Sequence, residues 1–120
     1  MSRILIVDDA EIMRDMLRGI LETAGYNIVG EAGDGEQALN EYQRLKPDLV
    51  IMDISMPRMD GIHALKFIKA YDPKAKVVMC SAMGQQEMVI DAIELGAKEF
   101  IVKPFHAEAV LNIISRVLRD

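Results

Sequence analysis

Several things are scarce in this 120-residue chain, and each scarcity closes a door. There is one cysteine, Cys80, so no internal disulfide can form. A reducing, cytoplasmic compartment is the simplest expectation. Lys and Arg number 14 against 19 acids, a formal charge of −5, and no basic stripe offsets the acids. That balance argues against a nucleic-acid face. No apolar stretch approaches the roughly 20 residues of a membrane span. The opening MSRILIVDD reaches acids at once, unlike a secretory signal. No glycine-rich phosphate loop follows the first apolar run; acids stand there and would repel nucleotide phosphates. The two histidines, His63 and His106, have no partner at metal spacing.

What is present is an alternation. About half of the residues are apolar, enough for one domain with its own core. Short β-rich runs at 3–7, 27–32, 48–52, 76–80 and 98–102 are separated by helical periodicity. The first helix carries Ile12, Met13, Met16, Leu17, Ile20, Leu21 and Ala24 on one face and stops at Gly25. Asp34-Gly35-Glu36-Gln37 reads as a capping box for the second, which buries Ala38, Leu39, Tyr42 and Leu45. Asp60-Gly61 opens the third, with Ile62, Leu65 and Ile68 inward. The fourth runs from about Gln85 to Leu95, and the last buries Val110, Ile113, Ile114 and Val117. Five β–α repeats predict a parallel sheet with helices on both faces. The first, third, fourth and fifth runs are apolar on consecutive residues, as in fully buried strands. A ligand crevice is expected at the strands' carboxyl ends.

Four of the runs stop on residues that handle phosphate or metal. ILIV ends in Asp8-Asp9, LVIM in Asp53, VVMC in Ser81, and FIV in Lys103-Pro104. On a parallel sheet these meet along one edge. Three carboxylates against one ammonium leave two negative charges, which match one divalent cation. Two like charges about 4 Å apart repel by roughly 4 kcal/mol at an effective dielectric near 20, so the cluster must hold a proton or a cation. Oxygen ligands without histidine or thiolate favour Mg²⁺. A carboxylate, Mg²⁺, a lysine and a hydroxyl also suit phosphoryl transfer through an acyl phosphate. Asp53 stands alone on a central run and is the best nucleophile, leaving Asp8-Asp9 for the metal. Singly, each residue has a plainer role: Asp8 with Glu11 as a capping box, Asp53 as a turn residue, Ser81 as an N-cap, Lys103 as a solvated cation. Their joint placement on one edge favours the site. Met56, Met59, Met83 and Met88 flank that edge as core or as an adaptable surface.

ILIVDDAE, LVIMDISMPRMDG, VVMCSA and FIVKPF resemble, in order and spacing, the response-regulator receiver domain, and the likeness spans residues 1–120. CSAMGQQEMVIDAIELGAKEFIVKPF is most similar to the stand-alone chemotaxis regulators. The resemblance implies a single receiver domain without an output domain. It also implies a flavodoxin-like (βα)5 three-layer sandwich with strand order 2-1-3-4-5; that order is carried over from relatives, not read from spacing. It further implies Asp53 as phosphoacceptor from a histidine kinase. Mg²⁺ would be held by Asp9, Asp53 and the Ser55 backbone carbonyl, with Asp8 acting largely through water. Ser81 and Lys103 would contact the phosphoryl oxygens, and the Lys103-Pro104 bond would be cis. Phe100, where many chemotaxis regulators carry tyrosine, would turn inward as Ser81 moves. Val89, Phe100 and Val102 would form the switched surface of a monomer that binds a flagellar motor switch protein, with a phosphatase as a further partner.

Two alternatives remain at this point. A relay intermediate, or a receiver cut from a longer two-component regulator, keeps the chemistry and changes the output. A haloacid-dehalogenase-type phosphatase uses a similar residue kit, but its nucleophile lies in a D-x-D motif after the first strand, and here the sequence is Asp8-Asp9-Ala10.

Overall fold

The computed structural model describes residues 2–120. Strands and helices alternate through the chain: β1 (Arg3–Val7), α1 (Glu11–Thr23), β2 (Asn27–Ala32), α2 (Gly35–Leu45), β3 (Leu49–Asp53), α3 (Gly61–Tyr71), β4 (Val77–Ser81), α4 (Gln86–Glu94), β5 (Glu99–Val102) and α5 (Ala107–Arg119). The five strands form one parallel sheet in the order β2-β1-β3-β4-β5. This is the flavodoxin-like (βα)5 sandwich.

Strand periodicity builds two cores from one sheet. Leu5, Val7, Val50, Met52, Val77 and Met79 point to one side and pack under α2, α3 and Ala92 of α4. Ile4, Ile6, Leu49, Ile51, Val78, Cys80 and Ile101 point to the other and meet α1 and α5. Successive strand residues face opposite sides, so an unbroken apolar run is what a sheet covered twice requires. Among the described residues, no helix is long and apolar enough to cross a membrane.

Four sequence expectations need correction. β3 and β4 run one residue further than the apolar pattern and include Asp53 and Ser81. The ladder carries them: Asp53 pairs with Cys80, Ile54 N–H donates to the Cys80 carbonyl, and Lys103 N–H to the Ser81 carbonyl. β5 is not a fully buried strand. It is the sheet edge, and Phe100 and Val102 are 38% and 52% exposed. On α1 only Leu17 and Leu21 are fully buried, while Ile12 and Met16 lie open. The apolar stripe is wider than the strip that sheet and α5 cover, and Ala24 falls outside the helix as its C-cap. Asp8 and Glu11 form no capping box: α1 starts after Ala10 without a side-chain cap, and Asp8 Oδ1 instead accepts from Ala10 N–H at 2.9 Å.

The other caps follow the sequence. Asp34 accepts from Gln37 N–H at 2.9 Å, although Gln37 returns its own bond to Gly33 rather than to Asp34. Asp60 accepts from His63 N–H at 2.9 Å. Gly61 sits where α3 begins against the end of β3; a Cβ there would collide with the Asp53 carbonyl oxygen. The absence of a side chain lets the helix start under the acid it supports. The Lys103-Pro104 bond is cis.

Candidate functional site

The C-terminal edge of the sheet gathers residues from β1, β3, β4 and the end of β5. Carboxylate oxygens of Asp8, Asp9 and Asp53 lie within 4.8 Å of one another. Asp8 and Asp53 are buried and Asp9 is exposed, so the cluster has a closed floor and one open side. Lys103 Nζ bridges the two buried acids, 2.9 Å from Asp8 Oδ2 and 3.2 Å from Asp53 Oδ2. Ser81 is buried beside them, one residue beyond the partner of Asp53 in the ladder. Ser55 lies on the exposed loop after β3.

Electrostatics show what this arrangement lacks. Burial pushes the Asp53 carboxyl above its ordinary range, and the Asp8 charge adds to the shift; the Lys103 cation only partly offsets them. Burial opposes the Lys103 charge, but its hydrogen bond to Asp8 and the charges of both acids outweigh that and raise its pKa. Burial also pushes the Cys80 thiol up, which leaves it an inert core residue. One lysine does not balance three acids. All-oxygen donors with excess negative charge fit Mg²⁺. Asp8, Asp9 and Asp53 would hold the ion, directly or through water, and it would supply the positive charge that Lys103 alone does not.

The sequence reading missed two supports of this edge. Arg14 of α1 donates from Nη1 to the Asp8 carbonyl at 2.6 Å and from Nε to Glu31 at 2.8 Å, which pins the loop that carries Asp9. Gln85 reaches across from the loop after β4 to Ser55. Both were visible only as polar residues on helix-forming stretches, with no pattern to give their targets.

Beside the acids, between α4 and β5, runs a mostly apolar groove of about 370 Å³ lined by Ser81, Met83, Val89, Ile90, Phe100 and Val102. It contains all three residues expected on the switched surface. Ser81 borders both groove and acid cluster, so one small residue joins them. The larger cavity, about 560 Å³, lies at the other end of the sheet near Ser2, Asp48 and Lys76, away from this chemistry.

A model of the response regulator receiver domain matches residues 4–115. The chain belongs to that family. This receiver is 60% identical over 116 residues to the chemotaxis protein CheY of Bacillus subtilis (strain 168), covering 97% of each chain. It is likewise 60% identical over 118 residues to protein CcdB of the same organism, covering 98% of each. Among solved structures it resembles the CheX-CheY-BeF3-Mg²⁺ complex from Borrelia burgdorferi, with TM-score 0.93 and 41% identity over 97% of this chain and 88% of that chain. The edge is therefore a phosphoaspartate receiver site whose acids are poised to coordinate Mg²⁺. Its chemistry is acceptance of a phosphoryl group rather than turnover of a substrate.

Proposed function

We propose that Asp53 is the phosphoacceptor of a chemotaxis response regulator and that a histidine kinase of the chemotaxis type is its donor. The observation that carries this reading is the position of Asp53. It ends the central strand β3, buried beside Lys103 at 3.2 Å and within the acid cluster. An Asp53 oxygen attacks phosphorus, the P–N bond to the kinase histidine breaks, and the imidazole leaves with the bonding pair. Mg²⁺ held by Asp9, Asp53 and the Ser55 carbonyl, with Asp8 through water, would neutralise charge on the transferring group. Lys103 needs to move little to reach a phosphoryl oxygen, because it already lies against Asp53. Phosphorylation replaces one negative charge by about two, which draws Lys103 and the Ser81 hydroxyl toward Asp53.

Movement of Ser81 reaches the groove that it borders. Val89, Phe100 and Val102 are there the surface read by a flagellar motor switch protein, with the chain acting alone as a monomeric receiver domain. Likeness to CheY over 97% of that protein's length supports this output. Likeness to a CheY solved in complex with CheX supports a further protein partner, a role in which we place a phosphatase.

Incubation with acetyl phosphate and Mg²⁺, followed by intact-mass analysis, should show one added phosphoryl group. The adduct should be lost on mild base treatment and absent from Asp53→Asn; a persistent adduct in that variant would remove the assignment. A motor-switch peptide should bind more tightly with beryllofluoride than without, and equal affinity in both states would remove the output.

Identity to CcdB equals that to CheY, so likeness alone does not select the output. A second reading keeps the same acceptor in a relay intermediate that passes phosphate to another histidine protein, or in the receiver of a longer two-component regulator. Phosphoryl transfer from the loaded chain to a histidine phosphotransfer protein within seconds would favour it.

A further inference from the structure

The connection between β4 and α4 makes a pair of bonds that the acid cluster does not use. Gln85, just before α4, folds back so that its Oε1 accepts from the Ala82 N–H at 2.7 Å. Its Nε2 donates to the Ser55 hydroxyl at 2.8 Å. One side chain thus ties the segment that follows Asp53 to the segment that follows Ser81. Gln85 is half-buried between two exposed partners, so the bridge lies across the surface of the site rather than in the core.

Strand register gives this bridge its meaning. Asp53 lies opposite Cys80 in the ladder. Neighbouring strands stand about 4.8 Å apart and rise roughly 3.3 Å per residue, which brings the Ala82 amide within reach of a phosphate-sized group on Asp53. Such a group brings three acceptor oxygens that need donors. In this structure the Ala82 N–H already donates to Gln85. The Ser55 hydroxyl is engaged by the same side chain.

We propose that Gln85 is a latch on the acceptor site. It holds the β4–α4 loop in its resting position by occupying the Ala82 amide, and it must release that amide before a group on Asp53 can take it. The proposal rests on Asp53 being the acceptor. Release uncouples the two loops at once, and α4 begins at the next residue, Gln86, which together with Val89 and Ile90 lines the groove. Gln85 is therefore a positioning residue: it touches no reacting atom but sets where the loop after Ser81 rests.

Two measurements test the latch. In the metal-free protein, hydrogen exchange of the Ala82 amide should be slow and should speed up about fivefold or more in Gln85→Ala, the scale of one hydrogen bond. Gln85→Glu keeps an acceptor for that amide and should retain the protection. At saturating Mg²⁺, beryllofluoride should bind Gln85→Ala about three- to tenfold more tightly than the unaltered protein, because a competitor for the amide is gone. Unchanged Ala82 exchange, or unchanged or weaker beryllofluoride affinity in Gln85→Ala, would overturn the latch. If Asp53→Asn still bound beryllofluoride, the acceptor reading would fail and take the latch's role with it. The exchange measurement needs no ligand and separates that outcome from failure of the bridge itself.

Discussion

Lys103 Nζ stands 2.9 Å from the Asp8 carboxylate, and Asp8 is only 1% exposed. The lysine is thus the counterion that allows an acid to be buried at this edge in the absence of metal. Removing one partner of a fully buried pair costs about 3–5 kcal/mol. Because the Lys103 side chain keeps 18% exposure, Lys103→Met should cost less, about 2 kcal/mol in metal-free urea unfolding. Added Mg²⁺ should recover part of the loss by taking over the charge. An equal deficit with and without Mg²⁺ would contradict this account.

Asp53 should weaken the metal-free protein at neutral pH. Burial, then the charge of Asp8, raise its folded pKa above the ordinary value of 3.8. Between the unfolded and folded values the native state holds more protons, so stability falls as pH rises through that window and stays lowered above it. Asp53→Asn should therefore be more stable than the parent at pH 7, by on the order of 1 kcal/mol. The advantage should vanish below the unfolded pKa. Thermal melts at both pH values read this directly, and an advantage of the same size at low pH would refute the ionic explanation.

Much of this site was legible because the sheet is parallel and covered on both faces. An apolar run then marks a strand, and whatever ends the run is placed at the crevice. Asp8, Asp9, Asp53, Ser81 and Lys103 could be gathered by that rule alone, and the receiver motifs supplied strand order. Periodicity could not show how wide a strip each helix buries, so Ile12 and Met16 read as part of one apolar face with Leu17 and Leu21 and yet are exposed. It also did not mark β5 as an edge strand: its apolar run, residues 100–102, is consecutive like those of the central strands, though shorter and preceded by Glu99. Long polar side chains were the least legible part. Arg14 reaches back six residues and Gln85 thirty, and such bonds depend on loop geometry that no local spacing encodes.

Glu31 on β2 accepts from Arg18 and Arg14 and anchors the arginine that holds Asp8. Burial opposes its charge, but the hydrogen bonds from Arg18 and Arg14 outweigh it and hold the carboxyl below the ordinary value of 4.5. Its contribution is present above that value and lost as pH falls through the depressed one. Glu31→Gln should cost about 1 kcal/mol at pH 7, a scale set by partial exposure of the pair, and nothing once pH is below the depressed value. Denaturant midpoints across this range provide the check; a deficit independent of pH would mean that packing, not charge, is responsible.

Gly61 should tolerate no side chain. A Cβ there would collide with the Asp53 carbonyl oxygen, and Gly61 N–H donates to the Ile54 carbonyl at 2.7 Å. Both opposing groups are backbone, so neither can rotate away. Gly61→Ala should destabilise the fold by about 1–3 kcal/mol, the usual cost of overpacking. It should also weaken Mg²⁺ binding, because the displaced strand end carries Asp53. Gly19→Ala, with open space around the new methyl group on α1, is the matched control and should not destabilise. Similar losses in both variants would rule out the close approach as the cause.

Mg²⁺ should stabilise the chain through Asp9 as well as through the buried acids. Asp9 is the exposed member of the cluster, so Asp9→Ala removes a ligand without opening the core. A ligand that binds only the folded state at ten times its Kd adds about 1.4 kcal/mol. At this chain length that corresponds to a melting midpoint higher by roughly 5 °C. Asp9→Ala should melt close to the parent without Mg²⁺, with less repulsion on the cluster, and should lose most of the shift when Mg²⁺ is added. The same melts with K⁺ at matched ionic strength separate binding from screening, because screening would relieve the acids in both variants alike. A full Mg²⁺ shift in Asp9→Ala would place the ion on Asp8 and Asp53 alone.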